Sequence, residues 1–157
     1  MGTVFKFGQF EVDIDVERTR LFYDKARLVS NACECSGCRN FEKAVSYLPS
    51  EVVDAFEKMG IDMRKVCECY SNVYEDGKVL YGGFFHVCGR LLRGESAWEK
   101  KSENHKVWND DAAFALNDDF RISFQEEVYI LETGFPLPAL QLEFSAWIPW
   151  CLDEAWD

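Results

Sequence analysis

The chain reads as an α+β protein in which an antiparallel sheet carries two helices packed on one face. Three observations predict this: apolar and polar residues alternate near both ends, Asp76-Gly77 sits between two β-rich runs, and helical apolar spacing is confined to residues 39–60. At 157 residues, 48% of them hydrophobic and 15% aromatic, the chain is the size of a single domain able to build a core without covalent staples. Internal repeats, low-complexity tracts and Pro/Ser/Gly-rich linkers are absent from the sequence.

In chain order, Phe10, Val12, Ile14 and Val16 alternate with Glu11, Asp13, Asp15 and Glu17, the pattern of a strand with one wet face. Arg20 to Tyr23 is expected to pair back onto it, and residues 25–30 lead into a cysteine-rich loop. From Arg39, Phe41, Ala44, Val45 and Leu48 share one helical face, and that helix ends before Pro49. Ser50 is expected to cap a second helix with the stripe Val52, Val53, Phe56 and Met59, stopped by Gly60.

Asp76-Gly77 predicts a two-residue hairpin. Counting outward from Glu75 opposite Lys78 sets Cys69 opposite Phe84 and Cys67 opposite His86. Cys67, Cys69, His86 and Cys88 then share a face, and a slip of one residue would reverse it. Gly82-Gly83 reads as close packing or a bulge within the second strand. Residues 90–111 are polar and weakly periodic, an excursion from the core, with a short helix expected at Ala112 to Leu116. Trp98 and Trp108 inside it either fold back onto the domain or anchor a partner. In the last third, Phe120, Ile122 and Phe124 mark a strand, Glu126-Glu127 a turn and Val128 to Leu131 a return strand. After the Gly134-to-Pro138 break, Leu140, Leu142, Phe144, Ala146 and Ile148 mark the final strand.

The chemistry concentrates in Cys33-x-Cys35-x-x-Cys38, three of seven cysteines in six positions at a helix start. Free N–H groups there favour thiolate, the form that binds zinc or attacks a disulfide, and Gly37 lets the loop turn tightly. One structural zinc held by Cys33, Cys35, Cys38 and His86, or by another cysteine of the hairpin, is the expected cofactor. Ordinary packing and redox chemistry of Cys35-Ser36-Gly37-Cys38 compete with it, and Cys67, Cys69, Cys88 and Cys151 sit among apolar neighbours as small hydrophobes do.

Against 17 basic residues stand 28 acidic ones, a formal net charge of −11. Such a surface repels nucleic-acid phosphates and anionic membranes and attracts basic proteins. Asp110-Asp111, Asp118-Asp119 and Glu126-Glu127 recur at apparent turns and are the expected partner-binding acids, with simple solubility as the plain alternative. An odd cysteine count and a start at Met1-Gly2-Thr3-Val4 without an apolar run argue for a reducing cytoplasm rather than secretion or a membrane.

The pieces Cys33-x-Cys35-x-x-Cys38-Arg39-Asn40-Phe41, Leu48-Pro49-Ser50-Glu51, Met59-Gly60-Ile61-Asp62 and Leu80-Tyr81-Gly82-Gly83-Phe84-Phe85-His86-Val87 resemble an uncharacterised family of small bacterial proteins. The likeness covers the middle of the chain and the Leu140-to-Trp150 strand, and it implies no activity. Enzymatic motifs are missing: two histidines, no P-loop, no dinucleotide glycine pattern, no G-x-S-x-G elbow and no His-Glu-x-x-His. The reading is therefore a non-enzymatic acidic protein that inhibits a basic nucleic-acid-handling partner, in the manner of toxin-immunity or anti-defence proteins. A zinc-stabilised or thiol-redox module is the alternative.

Overall fold

The computed structural model describes residues 2–156; Met1, on which the reading of the chain start rests, and Asp157 lie outside them. Among the described residues, nine strands and four α-helices form an α+β arrangement. No helix there is long and apolar enough to cross a membrane.

Thr3–Phe7 (β1) and Phe10–Ile14 (β2) pair as a hairpin. Arg20 to Tyr23, expected to pair back as a strand, belongs instead to the helix Val16–Lys25 (α1). Asp15 ends the alternation by capping that helix, its carboxylate accepting the Arg18 N–H at 3.1 Å, so Glu17 lies in the first helical turn and not beside Asp13. Val29–Ala32 (α2) is a single turn. The helix Ser36–Ala44 (α3) starts ahead of Arg39 and takes Cys38 into its first turn, and a 3-10 turn over Val45–Tyr47 carries the chain towards Pro49. In Ser50–Met59 (α4) the cap is Pro49 rather than Ser50: the Pro49 carbonyl accepts from Val52 and Val53, and Ser50 is already helical. Gly60 stops α4 at φ +89 as expected, and a Cβ there would lie 2.6 Å from the Val16 carbonyl, so this glycine also seats α4 against α1.

Glu68–Glu75 (β3) and Lys78–Arg93 (β4) form the predicted hairpin, with Asp76 at φ +51 and Gly77 at φ +80. Glu75 faces Lys78 and Val73 faces Leu80, as counted from the turn. Asn72 then bulges out, and beyond it Ser71 faces Tyr81, Cys69 faces Gly83 and Glu68 faces Phe84. The count is one residue off from that point. Cys69 therefore turns to the face opposite the expected one, away from His86, and Cys67 falls before β3 begins.

β4 is the spine of the sheet. One edge borders β3 and then β2, and the other pairs with Ala139–Pro149 (β9). Within the polar stretch, Trp98–Ser102 (β5) and His105–Trp108 (β6) make a separate two-stranded hairpin. Phe114–Asn117 (β7) and Phe120–Gln125 (β8) complete the main sheet in the order β1-β2-β4-β9-β8-β7, with β3 beside β4. The helix expected at Ala112 to Leu116 is thus strand β7, where Phe114 meets Phe7 at 5.6 Å. Val128 to Leu131 is no strand: residues 126–138 are irregular, since Pro136 and Pro138 offer no N–H and the Tyr129 N–H goes to the Gln141 side chain at 2.8 Å.

The unbroken β4–β9 register sorts side chains onto two faces. Tyr81, Phe85, Leu142 and Phe144 are buried on one. Phe41 of α3 meets Tyr81 and Phe144 there at 5.3 and 5.6 Å, and Phe56 of α4 meets Phe85 and Phe120 at 5.1 and 5.5 Å. Burying one such ring contributes roughly 2–3 kcal/mol. The opposite face is polar and yet buried, with His86, Ser123, Gln141 and Glu143. It is covered in part by the run into β5, where the Ala97 N–H reaches Ser123 Oγ and Ser96 Oγ donates to Glu143 Oε1, both at 2.8 Å.

Candidate metal centre and acidic groove

The cysteine loop is fastened before its sulfurs are considered. Tyr81 of β4 donates its hydroxyl to the Gly37 carbonyl at 2.7 Å. Asn40 Nδ2 donates to the Pro149 carbonyl at 3.1 Å, and Asn40 Oδ1 accepts the Cys151 N–H at 2.6 Å. The first turn of α3 is thereby tied to β4 and to the end of β9. A Cβ on Gly37 would lie 3.2 Å from Ser71 Oγ, which measures how closely β3 passes the loop.

Within this frame the sulfurs of Cys33, Cys35 and Cys38 lie within 4.8 Å of one another, Cys33 Sγ standing 3.2 Å from Cys35 Sγ. β3 adds a fourth sulfur: Cys69 Sγ is 4.0 Å from Cys38 Sγ. Zinc held at about 2.3 Å by four thiolates separates them by about 3.8 Å, and the two observed distances bracket that value. The three clustered sulfurs fit three ligands of a tetrahedral ion, and Cys69, in contact with Cys38 but outside the 4.8 Å cluster, is the nearest sulfur in reach to complete it by a small shift. His86, the expected fourth ligand, is not brought to the trio. It lies five residues beyond Tyr81 on the other face of β4, roughly 16 Å along the strand, with Glu132 and Gln141 as its partners.

Cys35 occupies the N-cap of α3, its sulfur accepting the Cys38 N–H at 3.4 Å. The helix start nevertheless fails to make a reactive thiolate. Desolvation of its sulfur, joined by hydrogen bonding with the Cys33 and Cys38 thiols, pushes Cys35 up to about 11 against the pull of that N–H. The neighbouring Cys69 thiol and burial raise Cys38 further. Crowded thiols do not ionise together unless a cation sits among them. Without metal Cys35 and Cys38 are poor nucleophiles near neutral pH, which weighs against disulfide exchange between them; with metal, ionisation and binding occur as one event.

The expected partner-binding acids divide. Asp110, Asp118 and Asp119 line a groove of about 600 Å³ beside Tyr70, Trp98, Trp108 and Trp147, whereas Asp111, Glu126 and Glu127 do not. Gly82 opens the floor, because a Cβ there would lie 2.7 Å from the Tyr70 ring. Trp98 and Trp108 face each other across the β5–β6 hairpin at 5.4 Å and 73°. Trp108 Nε1 donates to Asp110 Oδ1 at 2.5 Å, Arg121 stands 3.8 Å from Asp110, and Lys78 pairs with Asp119 at 2.6 Å. Asp118 is exposed and makes no ion pair among the described residues.

Sequence reasoning held Cys69 only as one of the hairpin cysteines offered as alternatives to His86, and it missed Tyr70 and Trp147 as site residues. An allowance for a bulge in β3 would have singled out Cys69 over His86, since it reverses the side of the strand on which that thiol emerges. Comparison with protein-family models, with curated proteins and with solved structures found no match.

Proposed function

We propose that this chain is a non-enzymatic binding protein that captures a basic segment of a protein partner in the groove between β3 and the β5–β6 hairpin. One observation carries the reading: Asp110, Asp118 and Asp119 converge with three tryptophans and a tyrosine in a single concavity. Carboxylates attract a lysine or arginine, and tryptophan faces hold its cation once water is displaced. Two helices packed on the apolar face leave the polar face for the partner, and the net charge of −11 speeds encounter with a basic surface. Inhibition of a basic nucleic-acid-handling protein, in the toxin-immunity or anti-defence manner, is the role that suits such a groove.

The test uses a lysine- and arginine-rich peptide as the probe and tryptophan emission as the signal. Expected is saturable binding that weakens steeply with added salt, and a loss of about tenfold in Asp118→Asn or Trp108→Ala with an unchanged melting temperature. Absence of binding, or binding indifferent to salt and to both substitutions, refutes the groove.

A second reading concerns the scaffold. The Cys69–Cys38 contact favours one structural zinc in the thiol cluster, pinning the loop and α3 to β3, with no open position for substrate.

A further inference from the structure

A second group of metal-binding atoms lies outside the four-thiol cluster. Cys67 Sγ, a ring nitrogen of His86 and a carboxylate oxygen of Glu132 lie within 4.8 Å of one another. They arrive from three places: the lead-in to β3, the middle of β4 and the 126–138 segment. His86 is fully buried, and its surroundings fix its tautomer. Gln141 Oε1 already accepts the Tyr129 N–H at 2.8 Å, so towards His86 Nε2, 3.3 Å away, that oxygen again accepts and Nε2 holds the proton. Nδ1, the ring's other nitrogen, stands 2.8 Å from Glu132 Oε1.

His86 Nδ1 and Glu132 Oε1 thus face each other, with the Cys67 sulfur as a third ligand atom. Among the described residues no lysine or arginine pairs with Glu132; its one ion-pair partner is His86. A cation between the three atoms satisfies all of them, opening the Nδ1–Oε1 gap to about 3.3 Å, and sulfur, imidazole and carboxylate together are a zinc-class donor set. The Nε2–H bond to Gln141 is the outer support that ligating histidines use. Cys67 gives up a 3.5 Å contact to the Ile130 carbonyl and its hydrogen bond with Glu132.

Cys67 and Glu132 also form part of the wall of a cavity of about 900 Å³. Arg18, Lys25, Arg27 and Lys65 line the same cavity, four cations in a chain whose net charge is −11. The local sign is reversed there, and the reversal selects an anion.

We infer that Cys67, His86 and Glu132 hold a zinc-class divalent ion whose open fourth position faces this cavity and takes a small phosphate- or carboxylate-bearing anion. Three protein ligands with a vacant position distinguish such a site from the closed four-thiol centre, and the inference stands independently of the groove. Cobalt(II) is the probe, titrated into the full chain under a phosphine reductant. Wild type is expected to bind about two ions, and Cys67→Ser about one. Glu132→Gln, nearly isosteric, gives the same loss should the serine variant fold poorly. Inorganic phosphate shifts the visible bands of wild type and of Cys35→Ser, which touches only the four-thiol centre, and leaves those of Cys67→Ser unchanged. Stoichiometry that neither Cys67→Ser nor Glu132→Gln alters overturns the site, and bands indifferent to phosphate overturn its open position.

Discussion

Cys69 Sγ lies 4.0 Å from Cys38 Sγ, joining the middle of the chain to the first turn of α3. The contact exists because Asn72 bulges from β3. Counted straight from the turn, Cys69 would face Phe84 and point away from the helices; with the bulge it faces Gly83 and meets the loop.

Removing this sulfur tests the zinc reading. Cys69→Ser is expected to lower zinc content from about one ion towards zero at the four-thiol centre and to lower stability by about 3 kcal/mol or more. Elemental analysis and melting curves with and without chelator measure both. A variant with undiminished zinc and an unchanged melting temperature would leave Cys69 as ordinary packing.

Gly83 makes the close approach possible. A Cβ there would lie 2.1 Å from the Glu68 carbonyl oxygen and 2.9 Å from Cys69 Cα, both backbone atoms that a side chain cannot displace cheaply. Gly83→Ala is expected to part β3 from β4 at Cys69, costing about 2 kcal/mol and weakening metal retention together. Gly82→Ala, which meets the movable Tyr70 ring, should spare the metal. Equal zinc loss in the two variants would contradict this account.

The turn carries its own conformational demand. Gly77 sits at φ +80 with nothing within 4 Å of where a Cβ would lie, so any penalty there comes from backbone strain alone. Gly77→Val should cost about 1 kcal/mol or more, read by denaturant unfolding. Wild-type stability in that variant would contradict a turn that depends on positive φ at Gly77.

Glu143 sets a pH dependence. It is 3% exposed, and burial raises its carboxyl from 4.5 to about 7 against hydrogen bonds from Ser96 and Ser123. Below the unfolded value both states are protonated and nothing is lost. As pH rises through the interval the unfolded chain ionises first, so stability falls, and above the folded value the loss is constant, on the order of 3 kcal/mol. Glu143→Gln is therefore expected to exceed wild type in stability at pH 8 and to match it at pH 4. Parallel pH profiles for the two proteins would exclude the effect.

The amino-acid sequence by itself determined what a few neighbouring residues can specify. The Asp76-Gly77 turn needs positive φ, the Gly60 stop needs the left-handed region, and Cys33, Cys35 and Cys38 lie too close in the chain to be far apart in space. Alternation located β2, β8 and β9 for the same reason. Asp15 was misread because one cap outweighs a pattern of alternation that it happens to extend. Only the tertiary structure decided which sulfur joins the trio, that His86 belongs with Cys67 and Glu132, and that Asp110, Asp118 and Asp119 share a groove while Asp111, Glu126 and Glu127 do not. Cys38 and Cys69 are 31 residues apart, and their meeting depends on one bulged residue and on how α3 seats against the sheet. A bulge changes which face a side chain leaves without changing the alternation on either side of it, so the pattern of residues is silent where the packing of distant elements decides.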